Sequence, residues 1–221
     1  MLLTIFERQD TVLLTAQFIV LLFSLSFHEA AHAWMAFRRG DDTAALMGRL
    51  TLNPIAHMDP FLSVILPLAC YLSGAPIIGG GKPVPVNPFR MKNPARDSML
   101  VALAGPVSNV LLAIGFTALI QIGFRVGLMR GDARLYQVLT HAVLINFFLA
   151  FFNMLPVPPL DGSRVLGYFL PRPAQAWLFQ LDRYGFLVLI LVFYSGILGP
   201  VYQVFFHFLD AYSSLLIPGG A

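Results

Sequence analysis

The chain has 221 residues, 57% apolar and 11% charged, with a mean hydropathy of +0.75 and a formal net charge of +3. That balance lies far outside the range of soluble domains and reads as an integral membrane protein in contact with the lipid bilayer; the basic residues are scattered with no stripe, which excludes a nucleic-acid groove. The length predicts a single all-α polytopic domain over residues 1–221, core at about 11–170, with four to six transmembrane helices. The lone Cys70 excludes an internal disulfide and any cysteine-based zinc site.

Glu7, Arg8 and Asp10 precede the first apolar run, with no basic leader and no small-residue cleavage site, so that run is expected to be a retained span. It extends from Thr11 to Phe37, about 40 Å as a helix, and Arg38, Arg39 and Gly40 mark its end. Inside it lies His28-Glu29-Ala30-Ala31-His32. Four residues apart on a helix, the two histidines come within about 40° in rotation and about 6 Å in height, so one ion can meet both. Zn²⁺ accepts neutral imidazole readily, and a glutamate beside the first histidine is placed to take a proton from the attacking water. Ionisable residues at this depth cost about 2.5 to 3.5 kcal/mol each, which makes a functional reading the default over a satisfied helix face.

From Asp41 to Asp59 the sequence turns mixed, and the alternation in Gly48-Arg49-Leu50-Thr51-Leu52-Asn53-Pro54 predicts a short strand and turn, a β-hairpin element between the first spans. His57 and Asp59 have no third partner nearby and read as a surface loop. Phe61 to Leu72, interrupted by Pro67, is too short for an ideal span and reads as a re-entrant or tilted element. Gly79-Gly80-Gly81-Lys82 is not a phosphate loop, because Pro83 stands where Ser or Thr is needed. Pro83-Val84-Pro85-Val86 must be extended, and its edge, with Val84 and Val86, is expected either to receive a substrate strand or to serve as an ordinary connection.

Asp97 to Phe124 is the next predicted span. Its Ala104-Gly105-Pro106-Val107-Ser108-Asn109 implies close helix packing or, for Asn109, a polar contact to the site. After Arg125, Arg130 and Arg134, a span from Tyr136 to Leu155 runs into Asn153-Met154-Leu155-Pro156-Val157-Pro158-Pro159-Leu160-Asp161-Gly162. A catalytic zinc site needs a third protein ligand, and Asp161 is the one acid in the stretch from His141 to Arg164. A carboxylate so isolated needs a partner, and Gly162 is expected to leave room beside the ion. Phe186 to Leu209 is the last predicted span.

For Asp161 to meet His28 and His32, Arg38 and Asp97 must lie on one side of the membrane, with Phe61 to Leu72 dipping in and returning, or crossing with a compensating return. That arrangement puts nine basic residues on the site's side (Arg38, Arg39, Arg49, Lys82, Arg90, Lys92, Arg96, Arg172 and Arg183) and four (Arg8, Arg125, Arg130 and Arg134) on the other. The bias predicts a site opening toward the cytoplasm.

HEAAH in a membrane helix, followed by AGPVSN and NMLPVPPLDG, closely resembles the site-2 protease family of intramembrane zinc metalloproteases. GRLTLNP and GKPVPVNP resemble its compact bacterial branch, without PDZ or CBS domains. The resemblance implies a one-zinc peptidase of a bacterial inner membrane that cleaves transmembrane protein substrates in regulated proteolysis. It implies His28, His32 and Asp161 as ligands, Glu29 as general base, Asn153 as the residue steadying substrate or oxyanion, and Asn109 in a supporting or substrate-binding role. Two other classes stand beside it. A silent membrane adaptor would lack Glu29 or a ligand, and a metal transporter would need further ligands than the isolated His141 and His207 supply.

Overall fold

The computed structural model describes residues 11–60, 65, 69, 81–130 and 133–216. The helices are α1 (Thr11–Arg38), α2 (Thr43–Leu46), α3 (Pro54–His57), α4 (Pro94–Arg125), α5 (Ala133–Asn153), α6 (Asp161–Phe169), α7 (Arg172–Asp182), α8 (Gly185–Tyr194) and α9 (Gly199–Leu216). Among the described residues there is no strand. Helices α1, α4 and α5 are long and apolar enough to cross a membrane, and the pair α7 and α8, bent by 92°, makes a fourth if it is one span. The protein is thus an all-α, multi-pass membrane protein. Residues 1–10, the stretch Phe61 to Leu72 expected to be re-entrant or tilted (apart from Ile65 and Ala69), Cys70 within it, and Gly74 to Gly80 lie outside the described residues.

α4 is the central helix, packed against α1, α5 and α6. It starts with Pro94 at its first position, and the Asp97 carboxylate accepts the Asn93 N–H at 2.9 Å, satisfying a donor that a helix start leaves free. α1 and α4 run antiparallel with a four-residue step on each. Ser24 faces Asn109, His28 faces Gly105, and His32 faces Val101. The small residues Ser24, Ala36 and Gly105 let the backbones approach closely. At the end where α1 stops, Arg39 Nε lies 3.9 Å from Asp97 Oδ1 and Trp34 stacks under the Arg38 guanidinium, 5.5 Å from its ring centroid. Further along, Ala113, Ile120, Val143, Phe147 and Phe205 form the apolar core joining α4, α5 and α9.

Three expectations are corrected. Residues 48–54 form no strand. The Gly48 and Arg49 amides close α2 by bonding Ala45 O and Ala44 O, Gly48 has φ +67°, and the Asn53 side chain caps α3 at Ile55 N. The donors a ladder needs are therefore used locally. His57 is not on a surface loop: it is buried, its ring Nε2 donates to Thr51 O at 2.8 Å, and its own carbonyl accepts the Lys82 N–H at 2.8 Å. The chain between His57 and Lys82 thus begins and ends at one place. The expected span Phe186 to Leu209 is two helices, α8 and α9, because Gly196 turns the chain at φ +72° and α8 is only 10 residues long.

Candidate metal centre

HEAAH lies in the second half of α1, and helical spacing stacks its two rings edge-on with centroids 4.6 Å apart. Asp161 arrives from a distant part of the chain. The α5 helix ends at Asn153, Pro156, Pro158 and Pro159 prevent its continuation, and Asp161 opens α6. Gly162 makes this possible, though not by leaving room for an ion. A Cβ there would stand 2.5 Å from Leu155 O, so glycine lets α6 close onto the turn at Met154 and Leu155.

The structure brings His28, His32 and Asp161 together. His28 Nε2 and His32 Nε2 are 3.0 Å apart, and Asp161 Oδ2 is 3.2 Å from the first and 3.3 Å from the second. All three residues are buried or nearly so. The opposite ring nitrogens fix the tautomers. His32 Nδ1 is 2.7 Å from Val101 O, which only accepts, so this nitrogen carries the proton. His28 Nδ1 is 2.6 Å from Asn109 Oδ1, and Asn109 Nδ2 is spent on Asn146 Oδ1 at 2.8 Å and Ser24 O at 3.4 Å. His28 Nδ1 is therefore the donor as well. Both Nε2 lone pairs then point at a carboxylate oxygen. Three electron-rich atoms crowded at this distance repel one another unless a cation lies among them, and two imidazoles with one carboxylate are a donor set that suits Zn²⁺.

Asn109 faces His28 and not an open surface. It is fully buried, and its amide is committed to α1 and α5. Asn146, which sequence reasoning missed, extends the network by donating to Ser24 Oγ and Ala142 O, each at 2.8 Å. An asparagine in mid-span was the available signal. Glu29 Oε2 accepts the Val84 N–H at 3.0 Å. The Val84 side chain packs on Ala33 and Ala44, and Val86 packs beside it and against Ala36 and Met91, so both turn their side chains toward α1 and α2. Asn153 Nδ2 donates to Leu149 O of its own helix at 2.9 Å, and the structure records no contact between it and the histidines or Asp161.

Residues 16–131 and 121–192 match the model of Peptidase family M50. The chain belongs to Peptidase family M50. Among proteins whose names class them as zinc metalloproteases, it is similar to YwhC of Bacillus subtilis, with 40% identity over 179 residues, 79% of this chain and 78% of that one. It is also similar to Rip2 of Mycolicibacterium smegmatis, at 32% over 90% of this chain and 75% of the relative. A shorter likeness, 48% over 66 residues, links it to MJ0611 of Methanocaldococcus jannaschii. No solved structure matches the chain significantly. The M50 match covers the helices that carry HEAAH and Asp161.

Proposed function

We propose that this M50 zinc metalloprotease cleaves peptide bonds in or near transmembrane segments of membrane proteins, as a step of regulated proteolysis, with its site opening to the cytoplasmic side of a bacterial inner membrane. The observation that carries the reading is the convergence of His28 Nε2, His32 Nε2 and Asp161 Oδ2 beside Glu29, on helices long and apolar enough to span. The orientation rests on the nine-to-four basic bias together with the Arg39–Asp97 approach, which puts the end of α1 and the start of α4 at the same level.

His28, His32 and Asp161 hold the ion. When bound, Zn²⁺ supplies the Lewis acidity that polarises the scissile carbonyl and acidifies water. Glu29 takes the proton of the attacking water and returns it to the leaving amine, with one carboxylate oxygen fixed by Val84. Asn109 keeps His28 in the tautomer that leaves Nε2 free. Asn153 is the donor for the oxyanion once substrate draws its amide away from Leu149 O. A helical substrate hides its peptide bonds, so the bound segment unwinds, and the extended chain at Val84 and Val86 is the backbone it lies against.

Purified protein, incubated with a transmembrane model peptide with and without zinc chelation and beside Glu29→Gln, tests this. Cleavage that needs zinc and falls by about 10²- to 10⁴-fold in Glu29→Gln, with the metal retained, is the expected result. Bound zinc with no cleavage of several helix-destabilised peptides points to an adaptor, and absence of bound zinc removes the site assignment.

A further inference from the structure

We propose that Lys82–Asn87 is a rigid strap whose task is to orient Glu29, with the Val84 amide as the positioning donor and Asp41 as the anchor; this rests on Glu29 being the general base. Three contacts tie the strap down. Lys82 N–H donates to His57 O at 2.8 Å, Val84 N–H to Glu29 Oε2 at 3.0 Å, and Asn87 N–H to Asp41 Oδ2 at 2.6 Å. Pro83 and Pro85 have no N–H, so Val84 supplies the one amide between Lys82 and Val86. The same prolines lock their own φ and hold Lys82 and Val84 extended, so little chain freedom remains to be lost when the contact forms.

The anchor is stronger than a connecting loop needs. Asp41 is fully buried, and its other oxygen accepts the Thr43 N–H at 3.0 Å and the Thr43 hydroxyl at 2.5 Å. A buried carboxylate with three donors is costly to move, because each lost contact leaves charge unsatisfied. The Val84 side chain, seated on Ala33 one turn beyond Glu29, stops the amide from rotating away. One Glu29 oxygen is therefore clamped and the other is left for the proton. The strap's three backbone hydrogen bonds go to His57, Glu29 and Asp41 and to none of the three ion-holding residues, so those contacts act on the base and not directly on the ligands.

The full-length protein in detergent carries the test. With ¹⁵N-valine labelling, the Val84 amide, assigned by its loss in Val84→Ala, exchanges with solvent slowly in the wild type and about tenfold faster in Glu29→Ala. Equal exchange overturns the contact whether or not any substrate is cut. Kinetics then compare Val84→Pro, which deletes the N–H and keeps the extended backbone, with Val84→Ala, which trims the same packing and keeps the N–H. A kcat for Val84→Pro about 10- to 100-fold below that of Val84→Ala, at equal KM and equal zinc per chain, is expected for a misplaced base. Equal kcat in the two, or a difference confined to KM, overturns the positioning role. Asp41→Asn, which presents an amide to the Asn87 N–H, lowers kcat in the same sense, and an unchanged kcat removes Asp41 as anchor. If Glu29→Gln cleaves at the wild-type rate the general-base reading fails, while the exchange result on Val84 still stands or falls by itself.

Discussion

Gly105 stands directly against His28: a Cβ on Gly105 would lie 2.6 Å from His28 Nε2 and closer still to His32 Nε2. Both rings are held from behind by Asn109 and Val101 O, so neither can swing aside without losing a buried hydrogen bond. Gly105→Ala is therefore expected to displace the ring nitrogens and weaken zinc binding by about 10- to 100-fold or more. Competition with a chromogenic chelator measures it, and zinc affinity equal to wild type would show that the rings adapt.

Asn109 and Asn146 form one network with Ser24, and all three are fully buried. Asn109→Leu strips His28 of its acceptor and leaves Asn146 Oδ1 without its donor. It should cost about 1 to 3 kcal/mol per orphaned group and about 10- to 100-fold in zinc affinity. Asn146→Ala should share the loss of stability and show less of the loss of affinity, because His28 still faces Asn109. Denaturant titration of each variant, with and without zinc, separates the two effects.

The close approach of His28, His32 and Asp161 predicts a folded state that gains stability from its ion. Saturating zinc at about 100 times its Kd should stabilise the protein by about 2.7 kcal/mol, through binding to the folded chain alone. The melting temperature in detergent should fall on chelation and recover on zinc addition. His32→Ala should show no zinc-dependent shift.

Gly162→Ala tests the route by which the carboxylate reaches the histidines. Its new Cβ would collide with the backbone at Met154 and Leu155, so α6 must move and carry Asp161 with it. Zinc binding should fall although every ligand is still present. A variant that binds zinc as tightly as wild type would show that the turn yields instead of the helix.

Much of the centre was legible because its signals are local or chemical. HEAAH depends only on helical periodicity, and Asp161 stood out as the one acid in a long uncharged stretch. AGPVSN allowed two readings, helix packing and a polar contact, and the structure contains both, with Gly105 and Asn109 one turn apart on α4. Ser24 was illegible, and Asn146 showed only as a mid-span asparagine without its partners, for a physical reason. Their roles come from the relative register of α1, α4 and α5, which no local pattern encodes. The strand expected at 48–54 failed because capping at Gly48 and Asn53 competes for the same donors, and the continuous last span failed at Gly196. The Val84 contact with Glu29 required two segments remote in sequence to meet.

The histidine pair and the aspartate lie far apart in the chain, and α4, which holds both rings from behind, lies between them. During synthesis the N-terminal helix enters the bilayer long before residue 161 leaves the ribosome. A half-made or truncated chain therefore carries the two imidazoles of the trio without Asp161. Until α6 has been made, the trio is incomplete, so assembly of the centre waits on a helix that folds after the two histidines are already in place.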